Sequence, residues 1–494
     1  MNTLKKTIAK IFIILVIITI TTFFFGIKVS AKEQYSYKIK HYAGNAGFSF
    51  YINDENKLFS IGENGSGQLG IGNQKSHFDP QFVMDNVKDV VVGGTPFVFA
   101  KKVDGSVYVW GKNQHCQLGL GGSYNADSET NYITTPKLLS LNFTVKQIAC
   151  GNSFTLLLDD NGNVYGAGSN EYGQLGLESD YKKTSVVSTF TKIDALSDKK
   201  IVKIAASGYA SFALTDNNEL YSFGDNYYGE LGINSDTKHP NNSNINKCLV
   251  DDVVDVSASD SNVLVLTSNN RVYSWGRNQY NQLGIEEYNE PFSLIPQEIT
   301  KYYDGTTLTN IIPSKILSCG NSSFVISSNN YLYSFGANNE SNAGIDNEKQ
   351  TVLVPTKVTF FKALDIQKMK EDGESDVVLA SIPVDKNEII DLKITDFAGG
   401  CISRVFVLDE NGDVWSFGNN SSTQLCIGNT ATSTVPVKST LFRISSYDGE
   451  YQQKDYLTWP IIFLSIVFAG LIVFVIYSEI KIYKVKKRSI EKEQ

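Results

Sequence analysis

Short apolar runs separated by polar turns recur along most of the chain. One run covers residues 148–150 and stops at Gly151, a second covers 154–158, and a third covers 164–167. The corner Asp159-Asp160-Asn161-Gly162 separates the second run from the third. An Asn-Gly pair between apolar runs favours a type I′ hairpin turn, in which both central residues have positive φ. The pattern therefore predicts three antiparallel strands in this stretch.

Other parts of the chain show the same three-strand pattern. Equivalent corners are Asp104-Gly105, Asn217-Asn218, Asn269-Asn270, Asn329-Asn330 and Asn411-Gly412. The third runs are rich in aromatic and β-branched residues and have no clean polar side, which predicts strands covered on both faces. Sheets that pack face to face around an axis provide such cover. A variable segment leads to the next copy and often contains a proline, such as Pro80, Pro136, Pro296, Pro355 or Pro436.

A motif, Gly-x-Asn-x-x-x-Gln-Leu-Gly, follows the third run in seven copies with fixed internal spacing. Its first glycines are Gly62, Gly111, Gly168, Gly224, Gly276, Gly336 and Gly418. Its asparagines are Asn64, Asn113, Asn170, Asn226, Asn278, Asn338 and Asn420. Its final glycines are Gly70, Gly119, Gly176, Gly232, Gly284 and Gly344, and the last copy has Cys426 instead.

We interpret these motif residues as structural, because an architecture needs them in every copy whereas a catalytic site is needed once. The glycines permit positive φ or close backbone contact, and the asparagine can hold a turn by bonding to neighbouring backbone groups. Leu69 and its equivalents are expected to fill the space between neighbouring sheets.

Length and composition allow a large core, since the chain has 494 residues, 42% hydrophobic and 19% charged. Self-similarity at about 50 residues is typical of propellers, solenoids and arrays, in which each unit hides its apolar face against its neighbours. We therefore predict one large all-β domain over residues 32–446.

The two ends of the chain lie outside the repeats. Lysines precede an apolar run over 11–27, and Val29-Ser30-Ala31 suits a signal peptidase, so residues 1–31 are predicted to be a signal peptide, with an uncleaved anchor as the alternative. The apolar segment from Leu457 to Tyr477 (457–477) is long enough to span a membrane. A linker over 447–456 precedes it, and the basic tail 478–494 predicts a cytoplasmic C-terminus.

Charge argues against nucleic acid as a partner. Residues 32–477 carry 34 basic and 49 acidic side chains, a net charge of −15. Affinity for nucleic acid comes mostly from Lys and Arg that neutralise phosphates. Of the six cysteines, Cys150 and Cys319 stand at equivalent repeat positions, which favours buried thiols over disulfide bridges, although bridges stay possible.

The run from Asp104 to Gly119, Asp-Gly-x-Val-Tyr-x-Trp-Gly-x-Asn-x-x-x-Gln-Leu-Gly, resembles the regulator of chromosome condensation repeat family. The resemblance covers about residues 36–445 and implies a seven-bladed β-propeller with four-stranded blades, here in a membrane-anchored, bacterial-type member. Segments 35–44 and 437–445 look like the start of another copy, so both could meet in one shared blade.

What the resemblance implies for function is a protein-binding platform. The family's namesake is a nuclear guanine-nucleotide exchange factor that binds chromatin, and this role does not fit an acidic domain predicted to lie outside the cytoplasm. A secreted bacterial relative that inhibits β-lactamases shows that the fold can work outside cells, but no residue here maps onto its contact surface.

The residues themselves indicate binding rather than catalysis. The four histidines show no metal-ligand spacing and no nucleophile elbow is present, so we predict no catalytic, cofactor or metal site. We expect a monomeric, membrane-anchored platform at the cell surface that binds a protein or glycan ligand. The alternatives are an extracytoplasmic enzyme inhibitor and a hydrolase of envelope polymers.

Two places are candidates for partner contact. The longest interval between copies, from Gly336 to Gly418, holds an insertion at about 361–391, and long insertions are often functional. Its charged residues Lys368, Lys370, Glu371, Asp372 and Glu374 are candidate contacts, with a plain solvated loop as the alternative. Tyr172, Tyr228 and Tyr280 either line one face of the propeller or pack within its blades.

Overall fold

The chain divides into two compact units in a computed structural model, Ser36–Arg443 and Met1–Tyr35 with Ile444–Gln494. The structure describes residues 34–36, 39–45, 47–122, 132–177, 185–235, 244–260, 262–286, 289–305, 307–346, 350–363, 384–401, 404–420, 433–438 and 443–445. Strands β1 (Gln34–Ser36) and β34 (Arg443–Ser445) pair in a two-stranded sheet.

The larger unit contains seven sheets, or blades, whose four main strands are antiparallel and follow one another in chain order. The first three blades are β2 (Ile39–Asn45), β3 (Phe48–Asn53), β4 (Leu58–Gly62) and β5 (His77–Met84); β6 (Val87–Val92), β7 (Phe97–Lys102), β8 (Val107–Lys112) and β9 (Tyr132–Leu138); and β10 (Val145–Cys150), β11 (Phe154–Asp159), β12 (Val164–Ser169) and β13 (Val186–Lys192). A short 3₁₀ helix (Asp194–Leu196) leads to the fourth blade.

The next two blades follow the same order. They are β14 (Ile201–Ala206), β15 (Ala210–Thr215), β16 (Leu220–Gly224) and β17 (Asn246–Lys247); and β18 (Val253–Ser259), β19 (Asn262–Thr267), β20 (Val272–Arg277) and β21 (Phe292–Glu298).

The sixth blade carries two extra short strands, β22 (Tyr302–Tyr303) and β23 (Leu308–Thr309), beside its four main ones. The main strands are β24 (Pro313–Cys319), β25 (Ser322–Ser327), β26 (Leu332–Ala337) and β27 (Thr351–Lys357). A separate pair, β28 (Phe360–Ala363) and β29 (Val384–Ile390), precedes the seventh blade of β30 (Ile394–Cys401), β31 (Arg404–Asp409), β32 (Val414–Gly418) and β33 (Ser433–Lys438). The predicted all-β, seven-bladed propeller is therefore confirmed.

The core lies between the blades. Each of the six clusters of buried apolar side chains in the described residues combines two successive blades. The first combines Phe50 of β3, Leu69 of the motif loop and Val98 of β7 in one cluster. Every residue of β3, β11, β15, β19 and β25 is buried. A blade therefore keeps its apolar faces out of water only when a blade stands on each side of it.

The last glycine of the motif sets how closely two blades approach. A Cβ on Gly70, which has a φ of +73°, would lie 2.8 Å from Nε1 of Trp110 in the next blade. The same contact joins Gly119 to Phe190, Gly176 to Phe223, Gly232 to Trp275, Gly284 to Phe335 and Gly344 to Phe417. In the third blade Ala167 stands where five other blades have an aromatic residue and the first has Ile61, and Phe190 of β13 supplies the ring instead.

The ring closes where β2 meets β30 and β31. The rings of Tyr42 and Phe406 are stacked, with centroids 3.4 Å apart. The guanidinium of Arg404 is fully buried and donates through Nη2 to the carbonyl oxygens of Asn45 and of Phe48, the latter at 2.7 Å. The two segments considered from the sequence do meet, in the two-stranded sheet of β1 and β34, but each blade is one contiguous segment of chain, so they do not form a shared blade.

The predicted type I′ turns are wrong. At the Asp159–Gly162 corner, the amide of Gly162 donates to the carbonyl of Asp159, and that of Asp159 donates to the carbonyl of Asn163. Gly162 has a φ of +87°, whereas Asn161 has no positive φ. This is a type I turn followed by a single left-handed residue, the three-residue hairpin loop with a bulge. Asn56, Gly105, Asn218, Asn270, Asn330 and Gly412 take the left-handed position in the other blades.

The variable proline-containing segments form the outer strands of the blades. Pro80, Pro136, Pro296, Pro355 and Pro436 lie in β5, β9, β21, β27 and β33. An edge strand tolerates proline because one row of its backbone groups has no strand to bond. Each of these strands also shows a register shift against its inner neighbour, which disguises the alternation of side chains expected for a strand.

Cys116, Cys150, Cys248 and Cys319 do not form disulfide bridges. Burial raises the pKa of the Cys248 thiol to about 12. The side chains of Cys401 and Cys426 are outside the described part of the chain, as are the predicted signal peptide (1–31), the linker (447–456), the membrane segment (457–477) and the tail (478–494). In the residues that the structure describes, no helix is long and apolar enough to cross a membrane.

Alanine at Gly70 is expected to destabilise the fold more than alanine at Gly412. Both glycines have left-handed φ values, +73° and +77°, so either change carries the strain of a left-handed residue, about 1–2 kcal/mol. Only at Gly70 does the new methyl group meet a neighbour, the Trp110 ring, and such overpacking adds about 1–3 kcal/mol. Urea unfolding of Gly70→Ala and Gly412→Ala measures the difference, and equal losses would contradict the packing argument.

Replacing Arg404 by methionine is expected to lower the free energy of unfolding by about 2–4 kcal/mol, because two buried carbonyl groups lose a charged donor. Arg404→Lys should lose less, since an ammonium can still donate. The exposed Arg271, which pairs with Glu298, gives a matched control whose change to methionine costs less than about 1 kcal/mol. If Arg404→Met and Arg271→Met unfold alike, the buried guanidinium does not hold the ring closed.

Candidate functional site

One face of the propeller carries both the inner hairpins and the motif loops. In the third blade, β10 and β12 both run antiparallel to β11, so both end at the same edge of the blade. The hairpin after β10 and the motif loop after β12 therefore leave on one side. We call this side the motif face. The Asp159–Gly162 turns lie on the opposite face.

Side-chain amides fix the shape of the motif loops. Asn170 Oδ1 accepts the backbone N–H of Leu175 at 2.9 Å, and Gln174 Oε1 accepts that of Tyr172 at 2.8 Å. The asparagine bond recurs in other copies, from Asn64 to Leu69, Asn113 to Leu118, Asn226 to Leu231, Asn278 to Leu283 and Asn338 to Ala343. Asn420 is fully buried. The first glycines of the motif, from Gly62 to Gly418, have φ values between +90° and +111°.

Hydrogen bonds between neighbouring inner hairpins surround the propeller axis. The backbone amide of Gly94 donates to Gly151, that of Asn152 to Gly208, and that of Gly208 to Asp260, all at 2.8–2.9 Å. These hairpins line a polar hollow of about 180 Å³. Because one blade bonds to the next, loops on this face are held in a rigid frame.

Tyrosines gather on the motif face of the third to fifth blades. The ring centroids of Tyr172 and Tyr209 are 5.0 Å apart, and those of Tyr227 and Tyr228 are 4.7 Å apart. Tyr209 and Tyr227 each expose 38% of their surface. Tyr172 is half-buried, and desolvation, with the nearby charge of Asp225, raises its pKa. Thus Tyr172 and Tyr228 combine the two roles considered from the sequence, because they pack against neighbours and also reach the surface.

Arg277 extends this tyrosine cluster into the fifth blade. Its guanidinium lies 5.4 Å from the ring centre of Tyr228 and 5.7 Å from that of Tyr280. Its Nη1 is 3.9 Å from Oδ2 of Asp260. We call Tyr172, Tyr209, Tyr227, Tyr228, Arg277 and Tyr280 the tyrosine cluster.

A small cavity of about 130 Å³ opens beside the tyrosine cluster. Its lining includes the residues Tyr209, Tyr227 and Tyr228 and three acidic residues, Asp225, Glu230 and Asp260. Sequence reasoning missed the acidic residues. A signal was present, because Glu230 stands where Gln68, Gln117, Gln174 and Gln282 stand in other copies.

The insertion near residue 370 is only partly described. Its ends pair as β28 and β29, with an ion pair between Lys362 and Glu388 at 2.8 Å. A second ion pair joins Lys386 to Asp346. Lys368, Lys370, Glu371, Asp372 and Glu374 lie outside the described residues, so their role in partner binding stays a prediction. Near the paired ends of the insertion lies a cavity of about 830 Å³, which is lined by residues of β27, by Phe361 and by Ile389.

Histidines are spread over the described blades. His41 lies 3.1 Å from Asp89, and burial lowers the pKa of His115. Within the described ranges, no group of three or more His, Cys, Asp or Glu side chains is placed to hold a metal ion.

The blades and the motif loops are built from sequence repeats. Together they define the protein as a repeat protein with a β-propeller fold. The chain belongs to the RCC1-like domain family, whose model matches residues 122–382. A second model, for the regulator of chromosome condensation (RCC1) repeat, matches residues 55–99. The family expected from the repeat motif is therefore confirmed.

Several known proteins are similar to this chain. The ultraviolet-B receptor UVR8 of Arabidopsis thaliana is 29% identical over 52% of this chain and 57% of its own length. The secretion-regulating guanine nucleotide exchange factor of Bos taurus is 30% identical over 49% of this chain and 52% of its own. The chain thus spans about half the length of these relatives. Yeast RCC1 (Prp20), crystallised with Kap60, is 17% identical with a TM-score of 0.61, covering 83% of this chain and 86% of that one; this likeness shows the fold alone.

Proposed function

We propose that this protein is a membrane-anchored β-propeller that binds a protein partner outside the cell through the tyrosine cluster on its motif face. The tyrosine cluster is the observation that carries the proposal. The anchoring and the orientation rest on the sequence, in which an apolar segment (457–477) is followed by basic residues and an N-terminal apolar run is followed by small residues.

Tyrosine side chains suit a protein-binding surface. They offer large contact area with few rotatable bonds, and tyrosine and arginine are enriched among the residues that contribute most to binding. Here the rings contact one another and Arg277, so little side-chain freedom is left to lose when a partner binds. The hydrogen-bonded inner hairpins hold the surface in place beforehand.

What similar proteins do supports binding as the activity. The relatives named above are described as a receptor and an exchange factor, and yeast RCC1 is bound to another protein in its crystal. We propose binding without a catalytic step. Inhibition of an extracytoplasmic enzyme would be one form of such binding, and a glycan ligand is an outcome that the experiments below separate.

Epitope accessibility tests the proposed orientation. In intact cells, an epitope inserted between the exposed residues Ser197 and Asp198 should bind antibody, because the propeller faces outward. An epitope after Gln494 should bind antibody only once the membrane is permeabilised. If the epitope after Gln494 reacts on intact cells, or the inserted one does not, the proposed topology is wrong.

Photo-crosslinking in cells tests protein binding by the motif face. With the full-length chain, a benzoylphenylalanine at the position of Tyr227 should form adducts with a discrete protein. The same residue at the position of Asp160, an exposed site on the opposite face, serves as the control and should not. Adducts of equal yield from both positions, or none from Tyr227, would overturn the proposal. Capture of polysaccharide alone would replace the protein partner by a glycan.

A further inference from the structure

Two neighbouring seams between blades are open at the rim of the propeller. At three other seams, the residue two positions after the final motif glycine donates its amide to the third residue of the next outer strand. These bonds run from Gly72 to Thr134 at 2.8 Å, from Gly121 to Ser188 at 2.9 Å and from Asn234 to Leu294 at 3.1 Å. In the described residues, no such bond joins Glu286 to Leu353 of β27, or Asp346 to Val435 of β33. The sixth blade therefore lacks this bond on both of its sides.

Backbone conformation explains the difference. The three donors have left-handed φ values of +82°, +76° and +54°, in a region that glycine and asparagine adopt more readily than other residues. Glu286 and Asp346, which stand at the same motif position, have no positive φ. Their side chains form ion pairs instead, with Lys301 at 2.8 Å and with Lys386 at 2.6 Å. The change of residue type therefore accounts for the two open seams.

A cavity of about 830 Å³ lies where the bonds are missing. Glu286, Leu353, Asp346 and Val435 all line it. We call this cavity the rim cleft. Strand β27 runs along it and contributes Thr351, Val352, Leu353, Val354, Thr356 and Lys357 to its lining. The volume falls within the roughly 300–1,000 Å³ of known ligand sites, so the rim cleft can hold more than one side chain.

The rim cleft exposes the outer edge of β27. Strand β22 already adds to this edge, but within the described chain it pairs with β27 only through Tyr303 and Thr356. Residues 351–354 have no strand on their outer side in the part of the chain that the structure describes. In an antiparallel pair, alternate residues point their N–H and C=O groups away from the neighbouring strand. Along this stretch such groups face the rim cleft.

Apolar side chains flank the open edge. Leu353 and Ile389 are 40% and 67% exposed, and the buried Phe361 and Val435 also line the rim cleft. An open strand edge with exposed apolar side chains is a template for the pairing of another strand.

We propose that the rim cleft binds an extended segment of a partner protein, which adds a strand to the sixth blade along residues 351–354. A row of backbone donors and acceptors is matched by another extended backbone, and apolar walls favour apolar side chains at alternate positions of that segment. Glu286 and Asp346 are already paired with lysines, so the segment needs no charge of its own to match them.

The rim cleft is continuous with the tyrosine cluster. Tyr280 belongs to the cluster, and the next residue, Asn281, lines the rim cleft. Asn281 donates through Nδ2 to Oγ1 of Thr351 at 3.1 Å. A partner that binds the tyrosine cluster can therefore place a strand in the rim cleft as well.

Binding of a model strand to the full-length protein in detergent tests the proposal. The probe is fluorescein-labelled Lys-Val-Thr-Val-Thr-Val-Lys-amide, and fluorescence anisotropy measures its dissociation constant. Two matched peptides carry N-methyl groups, one on every valine and the other on both threonines. Because only one alternate set of N–H groups faces β27, one methylated peptide should bind at least about tenfold more weakly than the probe, and the other within about threefold of it. Equal weakening of both, or no saturable binding of the probe, would overturn the proposal.

Leu353→Lys is the decisive variant, because it places a charge beside the open edge and leaves the buried core unchanged. It should weaken binding of the probe at least about tenfold without lowering the urea unfolding midpoint. The control is Leu138→Lys, the same change at a 51% exposed leucine of the outer strand β9, outside the rim cleft, which should keep full affinity. Similar affinities for the two variants would contradict strand addition at β27.

The rim cleft and the proposed function can fail separately. If the probe does not bind but Tyr227 still crosslinks to a protein, the tyrosine cluster binds a partner and the rim cleft does not. If the probe binds as expected but Tyr227 yields no adduct, the rim cleft accepts a strand and the proposed function is wrong. Dimers of the full-length chain that Leu353→Lys dissociates, measured by analytical ultracentrifugation, would identify a second copy as the occupant and overturn the assignment to a partner.

Discussion

The structure depends on one constraint, which is that a blade with two apolar faces can be covered only by other blades. Each buried cluster is shared between neighbours, and no blade has a complete core of its own. The motif glycines bring the loop of one blade against an aromatic ring of the next, as Gly70 does with Trp110. Such a row of sheets leaves two uncovered faces unless it closes, and here Arg404 and the Tyr42–Phe406 stack join the last blade to the first.

Much of this architecture could be predicted because the constraint repeats. The first three strands of a blade and the motif loop recur with fixed spacing. A misleading local pattern in one copy can therefore be recognised, because the other copies do not share it. The outer strands were not recognised, because proline and register shifts remove the alternation that indicates a strand. The hairpin turns were assigned to the wrong type because an Asn-Gly pair is compatible with both loops, and only the φ of Asn161 decides between them.

Single, non-repeated contacts were beyond sequence reasoning. Arg404 stands at the start of its strand where Phe48, Phe97 and Phe154 stand in other blades, and no periodic signal says that a charged side chain would be buried there. The tyrosine cluster was foreseen only in part, through Tyr172, Tyr228 and Tyr280. Tyr209 and Asp260 come from inner hairpins whose sequences vary between blades, so no repeat pattern predicts their approach to the motif loop of the fourth blade. At Glu230, by contrast, the sequence does give a signal. This residue departs from the glutamine of other copies, so the architecture does not require a carboxyl group there.

Because each blade is one continuous segment of chain, the number of blades in such a ring can change during evolution. Every blade is a single uninterrupted stretch of chain, so the unit of genetic duplication coincides with the unit of three-dimensional structure. A copy gained or lost in the gene adds or removes a whole sheet without splitting a strand from its partners. Individual copies can therefore diverge in their loops, as the fourth has at Glu230, while their neighbours preserve the frame.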